Sequence, residues 1–214
     1  MSTSAHLVAV ALTLAAAAGS VRWPLARPLA VLIGATYLVE HAAFVVRGSW
    51  DVAHNLPLHL TDVVTIVSVL ALWTENPRLV ELTYFWALTA SLQAVLTPNL
   101  TEATATIFVV TFFVTHSGAI VAAILLVAGR HIIPPAGAVR RVFGATLVVA
   151  AAAAIGDLVT GGNYMFLRSK PSTASLLDVM GPWPVYILSA AVLALALFAF
   201  LDLPLRRARA SRAG

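Results

Sequence analysis

The stretch LPLHLTD, residues 56–62, puts a histidine, a threonine and an aspartate within four residues at the head of a long apolar run. These are the residue types of hydroxyl-based acyl chemistry. A hydroxyl nucleophile needs a base within hydrogen-bond reach, a group to orient that base, and donors for the oxyanion. Thr61 offers the hydroxyl. His116 and His59 are the candidate bases, Asp62 and Asp157 the candidate orienters, and Gln93, Asn99 and Asn163 the candidate donors. His116 lies in FVVTFFVTHSGAIVAAILL, where no charge is met on the N-terminal side before Glu102. An ionisable group so deep in an apolar segment normally faces a cavity or a partner. The plainer alternative is a neutral histidine bonded across helices. Asp62 and Thr61 have a plain alternative too, as caps at a helix start. Glu40, beside His41, and Asp157 sit near the ends of apolar runs, where charge is tolerated. His6, His54 and His131 read as solvated or interfacial. No H-x-x-x-H pair occurs, so no metal site and no cofactor are expected, and the absence of cysteine excludes a thiol nucleophile.

The elements that position these residues are membrane helices. Of the 214 residues 60% are hydrophobic and only 10% charged, with mean hydropathy +0.93. A soluble domain carries about 25% charged residues. A hydrocarbon core of about 30 Å needs roughly 20 apolar residues to cross it. Seven runs qualify, at about 4–20, 26–46, 57–74, 79–97, 105–129, 138–160 and 181–203. They are separated by Pro24 and Pro28, by ENP (75–77), by TPNLTE (97–102), by RHIIPPAG (130–137) and by GGN (161–163). The predicted fold is all-α: a polytopic helix bundle of seven transmembrane helices in one domain, residues 1–204, with a basic tail over 205–214. The first run has no basic residue before it, so it reads as a retained span rather than a signal peptide. With the N-terminus outside, ten basic residues fall on the cytoplasmic side: Arg22, Arg27, Arg78, Arg130, Arg140, Arg141 and the four arginines from Arg206 to Arg212. Three, Arg47, Arg168 and Lys170, fall outside. The bias predicts N-outside, C-inside in an integral membrane protein. No soluble face exists to carry a nucleic-acid surface.

In that frame the unusual polar groups gather in the outer half. Glu40 ends span two, and His59, Thr61 and Asp62 open span three. Gln93 and Asn99 end span four, Asp157, Asn163 and Tyr164 end span six, and Asp178 and Trp183 lead into span seven. Pro57 is expected as the first helical residue of span three, with His59 and Asp62 one turn apart on it. An outward-facing polar cavity follows, with Arg168 and Lys170 placed to meet a phosphate head group.

Five stretches carry a family resemblance: LPLHLTD, YFWALTASLQAVLTPNL (84–100), THSGAI (115–120), GGNYMFLRSKP (161–171) and SLLDVMGPWPVYIL (175–188). Together they resemble the YwaF-like bacterial integral membrane family, whose animal relatives are the transmembrane protein 164 acyltransferases, over roughly residues 30–200. The resemblance implies seven helices and transfer of a fatty acyl chain between phospholipids through an acyl-enzyme. It implies a cysteine nucleophile at the position of Thr61 and a histidine at His116. This chain departs at the decisive residue, with threonine for cysteine. A more distant resemblance, to the androgen-induced membrane hydrolases, implies a threonine–histidine pair acting on lipid esters. The expected function is therefore a lipid acyl hydrolase or acyltransferase, with a membrane phospholipid or other acyl lipid as its partner. The alternatives are a binding or transport protein for a small polar ligand or proton, and a structural membrane protein.

Overall fold

The computed structural model describes residues 3–22, 25–100 and 104–212. Pro24 and residues 101 and 102 of TPNLTE lie outside them. Among the described residues the chain is all-helical, without strands. Seven helices run in order: α1 Thr3–Arg22, α2 Ala26–Val46, α3 Leu60–Thr74, α4 Pro77–Leu96, α5 Thr106–Gly129, α6 Ala138–Thr160 and α7 Val185–Ala210. α4 widens to a π-turn at Ala87–Ser91, and α5 ends in one at Leu125–Gly129. All but α3 are long and apolar enough to cross a membrane. Their outer faces carry bare aliphatic side chains, such as Val46 at 86% and Leu158 at 84% exposure, which suit lipid and not water.

α3 differs from the expected span 57–74. It has 15 residues, about 22 Å of helix against about 30 Å of hydrocarbon. Pro57 and His59 lie outside it, so His59 and Asp62 do not share a helical face. The reason is the hydrogen bonding of the preceding loop. The backbone of residues 51–59 is spent on other partners: Ala53 N–H donates to Asp51 Oδ1 at 2.7 Å, Asp51 N–H to Asn55 Oδ1 at 2.9 Å, and Leu56 N–H to the Tyr164 hydroxyl at 3.0 Å. Within α3 the stripe Thr65, Ser68 and Leu72 is buried, while Leu70 and Trp73 are exposed. The basic segment expected as a tail from residue 205 continues α7 as far as Ala210.

The chain divides into two compact units. The first holds residues 1–50 and 61–132, hence α1, α2, nearly all of α3, α4 and α5. α4 starts because Asn76 caps it, accepting from Arg78 N–H at 2.9 Å, with Pro77 as its first residue. α5 packs on α1 and α2. The hydroxyls of Thr13 in α1 and Ser117 in α5 lie 2.7 Å apart in a hydrogen bond, and Phe44 of α2 stacks on Phe108 with ring centres 4.2 Å apart. Several threonine hydroxyls in these helices return to the carbonyl four residues back, as Thr13, Thr65, Thr89 and Thr115 do, which satisfies them within their own helix.

Gly118 lets α5 approach α2 closely. A Cβ there would stand 2.6 Å from Ile33 Cγ1, and Ile33 is fully buried. Gly118→Ala is expected to lower stability by about 1–3 kcal/mol through overpacking. Adding Ile33→Val should recover part of the loss, read from thermal unfolding in detergent.

The second unit holds residues 51–60 and 133–214. α6 closes at Gly161, whose φ of +77° is the left-handed C-cap that glycine adopts without strain. Two 3-10 turns, Tyr164–Phe166 and Leu176–Val179, lead to α7.

Candidate functional site

In the first unit the polar groups form a string along α3, α2 and α5. The Tyr37 hydroxyl of α2 lies within electrostatic reach of the carboxylates of Asp62 and Glu40, and Glu40 in turn faces the Thr111 hydroxyl of α5. Thr115, one turn further, donates to Thr111 O at 2.9 Å, and His116 follows it. The Tyr37 hydroxyl oxygen is buried and has no hydrogen-bond partner among the described residues. Thr61 is half-buried; its carbonyl accepts from Thr65 at 2.9 Å. Among the described residues no direct hydrogen bond joins the Thr61 hydroxyl to His116.

The His116 ring is held from both sides. It stacks on Phe112 with centres 4.1 Å apart, and its Nδ1 lies 2.7 Å from Phe112 O. A carbonyl oxygen can only accept, so Nδ1 carries the proton. In the neutral ring Nε2 then holds a free lone pair. This is the tautomer of a general base. The orienting group is a backbone carbonyl one turn back, where a carboxylate from Asp62 or Asp157 was expected.

Gln93 is tied within its own helix, donating to Thr97 Oγ1 at 2.7 Å, and Asn99 is exposed. Neither is placed as an oxyanion donor by these contacts. Tyr37, which sequence reasoning missed, is better suited. It stands three residues before Glu40, so the two share a face of α2, and that i, i+3 spacing was a usable signal.

In the second unit the sequence-selected residues build a different cluster. Asp157, at the end of α6, is buried. Its Oδ1 accepts from Tyr164 N–H at 2.6 Å, and its Oδ2 has no partner among the described residues. Tyr164 is wholly buried. Its hydroxyl donates to Val52 O at 2.7 Å and accepts from Leu56 N–H. His59 lies edge-on to the Tyr164 ring at 5.2 Å, within electrostatic reach of Asp157. Its Nδ1 receives Met165 N–H at 3.2 Å. An amide can only donate, so the neutral His59 ring carries its proton on Nε2, the reverse of His116. In this tautomer His59 presents a hydrogen-bond donor at Nε2.

The remaining candidates brace the 161–184 segment. Asn163 Oδ1 accepts from the amides of Arg168 and Ser169, and its Nδ2 donates to Ser169 O. Arg168 Nη1 donates to Gly162 O at 3.2 Å, and Lys170 Nζ to Asp178 O at 3.4 Å. Asp178 Oδ2 caps its turn through Ser175 N–H, and Trp183 Nε1 donates to Leu167 O at 3.0 Å. Met165 and Phe166, with φ of +53° and +57°, make the bend that aims the Met165 amide at His59.

The loop that carries His59 holds an exposed histidine–carboxylate pair. His54 Nδ1 lies 2.9 and 3.0 Å from the two Asp51 oxygens, and this bond, with the amide of Ala53, holds the Asp51 carboxyl below its ordinary 3.8. A depressed carboxyl contributes order that is present above 3.8 and lost as pH falls through the lower folded value. Amide exchange at Ala53 should therefore speed up modestly in that acidic window, because the pair is exposed, and Asp51→Asn should remove the pH step.

Residues 1–202 match the model of the TMEM164 family. The chain belongs to the TMEM164 family. It is also 33% identical over 166 residues to an uncharacterised protein of Treponema pallidum (strain Nichols), an alignment that covers 77% of this chain and 67% of the relative. No solved structure matches it. Family membership and the apolar helices make this TMEM164-family chain an integral membrane protein.

Proposed function

We propose that this TMEM164-family protein is a lipid acyl hydrolase or acyltransferase, with Thr61 as nucleophile and His116 as general base. Seven spans, N-terminus outside and C-terminus inside, complete the reading. The observation that carries it is the His116 tautomer: Nδ1–H bonded to Phe112 O, leaving Nε2 as the basic atom.

Thr61 Oγ attacks the carbonyl carbon of an acyl ester while its proton passes to His116 Nε2, directly or through one water. The carbonyl oxygen becomes an oxyanion, and the unpartnered Tyr37 hydroxyl is the donor assigned to it. The intermediate collapses with cleavage of the ester C–O bond. His116 returns the proton to the leaving alkoxide, giving a lysolipid and an acyl-threonine. Water or a second lysolipid then attacks the acyl-threonine and loses its proton to Nε2; the acyl C–O bond to Thr61 breaks, and His116 returns the proton to Thr61 Oγ. Water gives hydrolysis; a lysolipid gives transfer. A threonine in place of the cysteine implied by the family resemblance makes this base indispensable, because an unaided threonine hydroxyl is a weak nucleophile.

The experiment is turnover of a phospholipid with one labelled acyl chain by protein in nanodiscs. His116→Gln, which keeps polarity and removes the basic imidazole, should cost at least about 10²-fold, the usual contribution of general-base catalysis. Folded wild-type protein that leaves every phospholipid class unchanged overturns the reading.

A further inference from the structure

In the second unit, the opposite end of α6 from Asp157 carries a cleft that the proposed chemistry does not use. Seventeen residues separate Arg140 from Asp157, about 26 Å of helix. We infer that this cleft, between the start of α6 and the last turns of α7, binds the phosphate of an anionic membrane phospholipid.

The cavity measures ≈ 340 Å³. Its polar lining is Arg140, Asp202 and Arg206, and its apolar lining is Val139, Phe143 and Leu195. Val139 adjoins Arg140, and Phe143 follows it by three residues. Leu195 lies seven residues before Asp202, about 10 Å along the helix towards the middle of the span.

The charge balance is positive. Asp202 is buried and fully engaged: its Oδ2 accepts Arg206 Nε and its Oδ1 accepts Arg209 Nη2, each at 2.7 Å. Two arginines and one carboxylate leave +1, and Arg140 adds +1. Arg209 is pinned further by Pro134 O at 2.7 Å, so it anchors the carboxylate. Arg206 spends only Nε on Asp202. Its terminal nitrogens, and the whole Arg140 guanidinium, have no partner among the described residues. Two guanidinium groups on one cleft are a ready match for a phosphate, which takes planar bidentate donors. The first turn of α6, opened by Gly137 on the cleft wall, adds partial positive charge.

The apolar wall decides between a lipid and a free anion. Inorganic phosphate would leave Val139, Phe143 and Leu195 unused. A phospholipid sets its phosphate on the arginines and the start of an acyl chain on that wall. Basic pockets between spanning helices are where anionic head groups are held.

The test is thermal unfolding of the whole purified protein in detergent, titrated with phosphatidylglycerol, phosphatidylcholine or inorganic phosphate. Phosphatidylglycerol should raise the unfolding temperature, and the other two should not. Arg140→Gln should weaken the phosphatidylglycerol effect about tenfold in concentration, the loss of one charge-assisted contact, with the lipid-free unfolding temperature unchanged. Arg206→Gln should do the same, and Arg207→Gln, outside the cleft, should not. If Arg206→Gln fails to fold, Arg140→Gln decides, since its side chain pairs with nothing. Equal stabilisation by inorganic phosphate, or wild-type response in Arg140→Gln, overturns the inference. Neither readout depends on acyl turnover, so it stands or falls apart from the Thr61 chemistry.

Discussion

Thr61→Ala is expected to reduce lipid acyl turnover by at least about 10³-fold, with the protein still folded. The side chain is half-buried, and its hydroxyl hydrogen-bonds no described residue, so its removal strands nothing and opens little space. A loss of that size would come from the chemistry. Thr61→Ser should keep much of the activity, because it keeps the hydroxyl. Thr61→Cys should keep some, since a thiolate paired with an imidazole base is a competent nucleophile. A protein that only binds a polar ligand or relays protons responds in another order: Thr61→Ala changes affinity slightly, while Asp62→Asn and Glu40→Gln change it strongly. Steady-state turnover of one labelled phospholipid by the five proteins separates the two patterns.

Tyr164→Phe should produce the larger structural effect. One hydroxyl accepts from Leu56 N–H and donates to Val52 O, so its loss strands two backbone groups of the loop that carries His59. A stranded buried group costs about 1–3 kcal/mol. Val52 is half-exposed and water can replace its partner, so the expected total is about 2 kcal/mol, mostly from Leu56. Tyr164→Ala adds a cavity at a wholly buried ring and should cost about 3–5 kcal/mol. Equilibrium unfolding measures the sum. Amide exchange at Leu56 measures the part, and it should rise in Tyr164→Phe before any global loss is seen. Unchanged Leu56 protection would contradict the bridging role of the hydroxyl.

What the chain spells out locally was legible. Asn76–Pro77 starts α4 and Gly161 ends α6 through cap chemistry that needs only adjacent residues. The hydropathy of the helices is a sum over their own side chains. The start of α3 was not legible, because residues 51–59 are held off the helix partly by Tyr164, 108 residues from Leu56. His116 stood out as an ionisable group in an apolar run. Its orienter did not, because Phe112 contributes a carbonyl, and every residue has one. Reading carboxylates as the only orienters sent the search to Asp62 and Asp157. Asp157 instead anchors Tyr164 N–H, a contact that needs the bend at Met165 and Phe166, and positive φ at such residues has no sequence signature. Tyr37 was legible through its i, i+3 spacing to Glu40.

The most direct measurement is intact-protein mass spectrometry, followed by peptide mapping, after wild-type protein in nanodiscs meets a phospholipid with one isotope-labelled acyl chain. The account predicts a labelled acyl group on Thr61, absent in Thr61→Ala and strongly reduced in His116→Gln. Turnover with no adduct on Thr61 while Thr61→Ala remains active, or an adduct on another residue, would contradict it.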